Sequence, residues 1–371
     1  MKYVFGLLCL FALAITAQAR QLPPHAQQAL DSVLRTYKIP ALVAAVIEPT
    51  GISYAYGGVR RNDRPEPVRL NDFFHIGSDT KGITSFIAAK LVEQGKLRWD
   101  AKLVDVVPEL RGKIRPEYEA VTLDALLSHR AGIRPYDSGK EIESLPVLTG
   151  TVSQKRLQFA LHVLQESPVV PTQGLIVYSN AGYALAALML ERAGQRSWEE
   201  LVARTFKKLG LHERMGFPNR QDPSQPWGHW LQNPQDSLLT ALGPTIPYHI
   251  QDVLAPSGDV AMPLPDYARF VQLHLLGLLG QDNYLKASSY QLLHFGKKEY
   301  AYGWAVSAFA VSGAAITFHD GTAGTFFCHT IIIPSEKIAF VVIANAGGPA
   351  AEKACYALRR RLRKLYAAHA L

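Results

Sequence analysis

The sequence predicts an α+β fold: a mostly antiparallel sheet built from both chain ends, flanked by helices, with a helical lobe inserted in the middle. Three observations predict it. Short apolar runs parted by turn residues stand near the amino terminus and again from Ala301 onward. Between them lie segments with apolar residues at helical spacing, and each end carries a further amphipathic helix to cover a sheet face. The 371 residues are 48% apolar, enough to bury a large core. No repeat, low-complexity tract or charge block cuts the chain into separate beads. One domain is expected over residues 20–371, with the sheet part at about 20–70 and 301–371 and the lobe at about 71–300.

Residues 1–19 come first and read as a signal peptide. Lys2 supplies the positive start, the run from Val4 to Ile15 is apolar, and Ala17-Gln18-Ala19 fits a small-x-small cleavage site. The run is too short to span a bilayer, and Cys9 lacks the small residues before it that a lipoprotein signal requires. The mature chain is therefore expected to begin near Arg20, to be secreted or periplasmic, and to have no stable membrane span. The competing reading is an uncleaved anchor.

Residues 23–37 place Leu30, Val33, Leu34 and Tyr37 on one helical face. The runs 42–47 and 52–56, parted by Glu48-Pro49-Thr50-Gly51, form a hairpin pattern. A helix then starts at Gly77-Ser78, carries Ile83, Phe86, Ile87, Leu91 and Val92 at helical spacing, and stops at Gly95. The lobe continues with helices over 123–127, 154–165, 181–193, 198–208 and 266–278, the fourth opened by the capping box Ser197-x-x-Glu200. Between the last two helices, prolines at 218, 223, 226, 234, 244, 247, 256, 263 and 265 argue against regular helix or central strand and for a loop rimming a site. Strands are expected at 302–311, 315–319, 325–333 and 338–344, and a helix over 349–366 closes the chain.

Ser78 and Lys81 are one turn apart in the first turn of a helix, so the amine can reach the hydroxyl. Serine is a weak nucleophile until a base takes its proton, and a lysine desolvated in a pocket can serve as that base. The helix start adds unpaired N–H groups where negative charge develops. Two further sets of residues face the cleft expected between sheet and lobe. Tyr178-Ser179-Asn180 stands on a loop just before an apolar helix. His319-Asp320-Gly321-Thr322 ends a strand, with Gly321 and Gly324 allowing close backbone approach. Taken alone, each has a plainer reading, Tyr178 as a buried ring and His319 as a polar strand end.

The remaining features exclude more than they assign. The net charge of +8 is spread thinly except over 359–364, where arginines and a lysine interleave with Leu358, Leu362 and Leu365. That run reads as the wet face of a terminal helix in preference to a site for an anionic polymer. No nucleic-acid partner is expected for an exported chain without an aromatic-plus-basic module. Cys328 and Cys355 are the cysteines left after export, and the sequence leaves open whether they pair. No His-x-x-x-His helix or spaced cysteine cluster supports a metal, and no cofactor is expected. His129 reads as a structural hydrogen-bond partner. Trp227, His229 and Trp230 either line the substrate entrance or pack under the proline-rich loop.

Taken in order, Phe74 to Lys81, Leu126 to Gly132, Tyr178 to Tyr183, Ala255 to Asp259, Tyr302-Gly303-Trp304 and Asn345-Ala346-Gly347 resemble the serine β-lactamase and penicillin-binding protein superfamily, in particular its class C-like branch. That branch has Ser-x-x-Lys, Tyr-x-Asn and a Lys/His-x-Gly strand, and the resemblance covers nearly all of the mature chain. It implies Ser78 as the nucleophile that is acylated, Lys81 as the amine that helps deprotonate it, and Tyr178 as the relay to the leaving group. It also implies Asn180, His319, Gly321 and Thr322 in substrate binding, and the backbone N–H groups of Ser78 and Thr322 as the oxyanion hole. Lysine stands in the strand motif of dedicated lactamases, whereas this chain has His319. An imidazole is only partly charged near neutrality, which shifts the expectation toward a peptidase or esterase. The class A deacylation glutamate motif is absent.

The expected function is an exported serine hydrolase acting on an amide or ester (a D-amino-acid peptide, an ester or a β-lactam), with a small-molecule or peptide substrate and peptidoglycan as a further partner. The alternatives are a penicillin-binding sensor that acylates without turnover, and a cell-wall scaffold using the basic terminal helix.

Overall fold

The computed structural model describes residues 20–367 apart from 138, 234, 235, 237 and 311. The expected signal peptide lies outside the described residues. Among those residues the larger sheet is formed by β1 (Arg20–Gln21), β2 (Ala41–Glu48), β3 (Gly51–Gly58), β4 (Ala305–Ala308), β5 (Ala315–Thr322), β6 (Phe327–Ile333) and β7 (Ile338–Ala344). Their spatial order is β1-β3-β2-β7-β6-β5-β4, antiparallel throughout except for the parallel β1–β3 pair. The first and last parts of the chain meet where β7 pairs with β2, Val341 opposite Ala45.

The central strands are apolar at nearly every position because they are covered on both faces. Val43, Ala45 and Ile47 of β2, with Ala339, Val341 and Ile343 of β7, point into the core shared with the lobe. Leu42, Ala44 and Val46, with Phe340 and Val342, point to the opposite face. There the Pro24–Tyr37 and Pro349–Ala367 helices cover them through Leu30, Val33, Leu358 and Leu362. The terminal helix turns Arg360, Arg361 and Lys364 to solvent, as the interleaved pattern predicts. Cys328 and Cys355 are both buried and free, so they do not pair. Among the described residues no helix is long and apolar enough to cross a membrane.

The lobe contains the expected helices, Leu123–Leu127, Val152–Val163, Asn180–Gly194, Trp198–Leu209 and Leu264–Leu278, and the Ser197 capping box is formed. Three expectations need correction. The proline-rich stretch does hold a central strand: Val260–Pro263 lies between Phe73–His75 and Arg214–Met215 in a small antiparallel sheet. Its single proline ends the strand, leaving Val260, Ala261 and Met262 with their N–H groups. The same stretch forms the short helix Ala255–Gly258, with Pro256 in its first turn, where a missing N–H costs nothing. The expected strand 302–311 shrinks to β4, because Gly303 takes φ +84° and packs on the backbone of Lys81 and Gly82. In compensation, β5 runs past His319 to Thr322.

Candidate active site

Ser78 lies in a 3-10 turn, Gly77–Asp79, that leads into the Thr80–Glu93 helix. Two glycines let the end of β5 close on this turn. Gly77 has φ +54°, and a β-carbon there would sit 2.5 Å from the Thr322 backbone nitrogen. A β-carbon on Gly321 would sit 1.9 Å from the Ile76 carbonyl oxygen. The Thr322 amide is therefore held against the turn that carries Ser78, as an oxyanion hole requires.

The Lys81 side chain is fully buried. Its Nζ is 2.7 Å from Asn180 Oδ1, 2.8 Å from the Ser257 carbonyl oxygen and 3.2 Å from Ser78 Oγ. The Asn180 amide cannot flip without loss, because its Nδ2 donates to the Tyr136 carbonyl at 3.2 Å. The first two partners of Nζ can only accept. A neutral amine has two N–H groups and one lone pair, so donation to both acceptors leaves the lone pair facing the Ser78 hydroxyl. Burial pushes the Lys81 amine well below its usual value, while the negative charges of Asp79 and Asp137 pull the other way. Geometry and electrostatics thus agree on an amine that can act as a base.

Tyr178 comes from the loop before the Asn180–Gly194 helix, and its hydroxyl pairs with Ser78. Lys81 Nζ lies 4.6 Å from the centre of the Tyr178 ring. Burial is the largest influence on the phenol and raises it far above its usual value, against the hydrogen bond with Ser78. Tyr178 is therefore a proton-bearing group near neutrality. Its loop is clipped to the segment before it in the lobe. Ser179 N donates to His129 Nδ1 at 3.1 Å, Asn180 N to the Pro135 carbonyl at 2.8 Å, and Ser179 Oγ caps the helix through Gly182 N at 2.9 Å. His129 is thus a structural partner, as its sequence context suggests. Burial, above all, holds it well below the usual imidazole value.

His319 is brought to the same crevice, its ring 6.4 Å from that of Tyr178. It is only 5% exposed. Nε2 lies 3.1 Å from the Tyr300 hydroxyl and Nδ1 faces Asp79 Oδ1 at 3.4 Å, so both nitrogens meet protein groups before any substrate. The hydroxyl, amine, phenol and imidazole named from the sequence therefore converge. Three neighbours carry the site without a role assigned by the sequence: Asp79, Tyr300 and the carbonyl of Ser257. Asp79 sits inside the Ser-x-x-Lys segment and Tyr300 two residues before Tyr302-Gly303, so their place was visible even where their contacts were not.

The proline-rich stretch does form part of the rim. Tyr248 donates from its hydroxyl to the Ala323 carbonyl at 3.2 Å, just beyond Thr322. The side chain of Ile250 and the backbone of Ser78 both lie within 4 Å of the β-carbon position at Gly258. Trp230 packs on Tyr248, ring centres 5.3 Å apart, whereas His229 is buried, its Nδ1 2.7 Å from the Asn345 carbonyl. His229 and Trp230 therefore pack against the rim, while Trp227 is half-buried with the Arg61 guanidinium 3.6 Å from its ring centre. Among the described residues no group of His, Cys, Asp and Glu is placed to hold a metal ion.

Comparison with known proteins places these features in context. The family model described as Beta-lactamase matches residues 26–364. Penicillin-binding protein 4 of Amycolatopsis lactamdurans is 24% identical over 344 residues, covering 87% of this chain and 85% of that one. Protein flp of Staphylococcus aureus is 22% identical over 341 residues, 88% of this chain but only 64% of its own length. Among solved structures, the octameric penicillin-binding protein homologue from Pyrococcus abyssi superposes with a TM-score of 0.72 at 21% identity, covering 91% of this chain and 77% of that one. That last likeness is one of fold.

Proposed function

The chain belongs to the beta-lactamase family, and from that premise we propose that it is a serine hydrolase cleaving an amide or ester through an acyl-Ser78 intermediate. The observation that carries the proposal is the placement of Lys81 Nζ, with two pure acceptors on one side and the Ser78 hydroxyl 3.2 Å away on the other. Lys81 takes the proton of Ser78 Oγ as the oxygen attacks the carbonyl carbon. The oxyanion collects between the N–H groups of Ser78 and Thr322, where each donor is worth about 3 to 4 kcal/mol of transition-state stabilisation. Collapse breaks the C–N or C–O bond. Tyr178 gives its proton to the leaving group and recovers one from the Lys81 ammonium. Water then attacks the acyl carbon and its proton returns through the same groups, releasing the acid and free Ser78.

The substrate we propose is a D-amino-acid peptide, an ester or a β-lactam, met after export to the periplasm or beyond, with peptidoglycan as the natural source of such peptides. A second reading is favoured by one observation. A phenol held in its protonated form by burial is a poor base for water, which would slow deacylation and suit a sensor that acylates and stays acylated. One panel on purified protein tests both: nitrocefin, p-nitrophenyl butyrate and a D-alanyl-D-alanine peptide, each with wild type and Ser78→Ala. Sustained turnover lost in the variant supports the hydrolase. One equivalent of product followed by a stall supports the sensor, and turnover by the variant defeats both.

A further inference from the structure

The turn that carries the nucleophile contains a glycine, and a glycine beside a reacting group has freedom that something must remove. Gly77 is required because the Thr322 backbone packs where its β-carbon would stand, and it takes φ +54°. The same lack of a side chain lets its backbone leave that conformation at little cost. The Gly77–Ser78 peptide supplies the Ser78 N–H, one of the two donors assigned to the oxyanion hole. A rotation at Gly77 would aim that donor elsewhere.

His75 stands where it can remove that freedom. It ends the strand Phe73–His75 and is fully buried, its ring centre 5.0 Å from that of Phe217 and 6.2 Å from that of Phe326. The Gly77 N–H donates to His75 Nδ1 at 3.1 Å. A backbone amide can only donate, so Nδ1 bears the lone pair and the ring proton sits on Nε2. Nε2 lies 3.1 Å from Asp259 Oδ1, and the imidazole donates there. Asp259 offers that acceptor whether or not it is ionised, so a neutral ring satisfies both contacts and no other placement of the proton does.

Asp259 is in turn tied to the rest of the nucleophile segment. It follows the short helix Ala255–Gly258. In the same stretch the Pro256 carbonyl accepts from Thr84 Oγ1 at 2.7 Å and the Ser257 carbonyl from Lys81 Nζ at 2.8 Å. Val260 N donates to Thr80 Oγ1 at 3.2 Å, and Ile76 N donates to the Val260 carbonyl at 3.0 Å. We propose that His75, anchored by Asp259, is a positioning residue for acylation: its Nε2–H tautomer holds the Gly77 amide and thereby keeps the Ser78 N–H aimed at the oxyanion. Residues 256–260 then form one frame that sets Lys81 through Ser257 and the Ser78 amide through Asp259 and His75. The catalytic consequence rests on the acyl-Ser78 reading, whereas the hold on Gly77 does not.

Ile76-Gly77 is the only Ile-Gly pair in the sequence. Protein labelled with carbonyl carbon-13 isoleucine and nitrogen-15 glycine therefore gives one carbonyl-edited amide signal, that of Gly77. Its hydrogen exchange is expected to be slow in wild type and at least about tenfold faster in His75→Phe. It should be slow again in His75→Asn, whose side-chain carbonyl can stand where Nδ1 stood. A wild-type signal that exchanges like an unstructured peptide overturns the proposal even if His75→Phe fails to fold, as does equal protection in a folded His75→Phe. Fluorophosphonate labelling of Ser78 over a range of reagent concentrations separates binding from reaction. The limiting rate should fall about tenfold to a hundredfold in His75→Phe with the half-saturating concentration unchanged, and His75→Asn should recover most of it. An unchanged limiting rate, a loss confined to binding, or a loss that asparagine does not relieve means packing alone and defeats the positioning role. A wild type that is never labelled defeats the hydrolase reading, while the Gly77 signal still decides whether His75 holds the turn.

Discussion

Lys81 shows how a side chain acquires a function from its surroundings. An exposed lysine is an ammonium near neutrality, but this one is enclosed, and burial lowers it well below the usual 10.5. The folded chain therefore favours the neutral amine, and acylation should rise with pH as that amine loses its proton, reaching its plateau well below 10.5. Asn180→Asp places a negative charge at the 2.7 Å contact, which favours the ammonium. The acid limb of fluorophosphonate labelling should then move to higher pH, with labelling at neutrality about tenfold slower or more. An unshifted limb in a folded Asn180→Asp would show that Lys81 is not the base. Ser78, Lys81, Tyr178 and Asn180 were legible because each stands in a short pattern next to a helix start. Asp79 and Tyr300 were not, because Asp79 touches Tyr267, Cys328 and Thr330, between 188 and 251 positions away, and Tyr300 meets His319 from a turn outside any named strand, contacts that no local pattern records.

At the scale of elements, the site depends on how closely β5 approaches the Ser78 turn. Gly77 and Gly321 set that distance, since a β-carbon at either would overlap backbone of the other segment. Gly321→Ala must push the strand end away from Ile76 and carry the Thr322 amide with it. Losing that oxyanion donor is expected to slow acylation by about a hundredfold to a thousandfold. Circular dichroism and labelling rates on the purified variant check this, and a folded Gly321→Ala labelled at the wild-type rate would remove Thr322 from the mechanism. Apolar periodicity predicted the long elements closely: the hairpin, the Thr80–Glu93 helix and β7 fall within a few residues of their expected places. It failed where a few residues decide. Val260–Pro263 was hidden by the prolines around it, although only the last of its residues lacks an N–H. The expected strand 302–311 lost its start to Gly303, whose left-handed turn against Lys81 and Gly82 no periodicity records.

At the scale of the whole molecule, the two ends of the chain make one sheet and the lobe supplies the other wall of the crevice. The same sheet ties the terminal helix to the catalytic strand. Tyr356 donates to Asp320 Oδ2 at 2.6 Å and His329 Nδ1 lies 2.7 Å from Asp320 Oδ1, next to His319 and Gly321. Because Leu358 and Leu362 of that helix are fully buried, its basic face is the outer surface of a structural element rather than a detachable arm. The architecture could be inferred from the sequence because strands at both ends and helices between them leave few ways to close a sheet. The gathering of the catalytic groups could be inferred only through the family resemblance, since no local pattern brings Tyr178 and His319 to Ser78. That gathering is the central claim, and intact-mass and peptide analysis of fluorophosphonate-treated protein tests it most directly. The account predicts a single adduct on Ser78, absent from Ser78→Ala and formed at least about a hundredfold more slowly in Lys81→Met. An adduct on another residue, or labelling of Ser78 that is indifferent to Lys81, would contradict it.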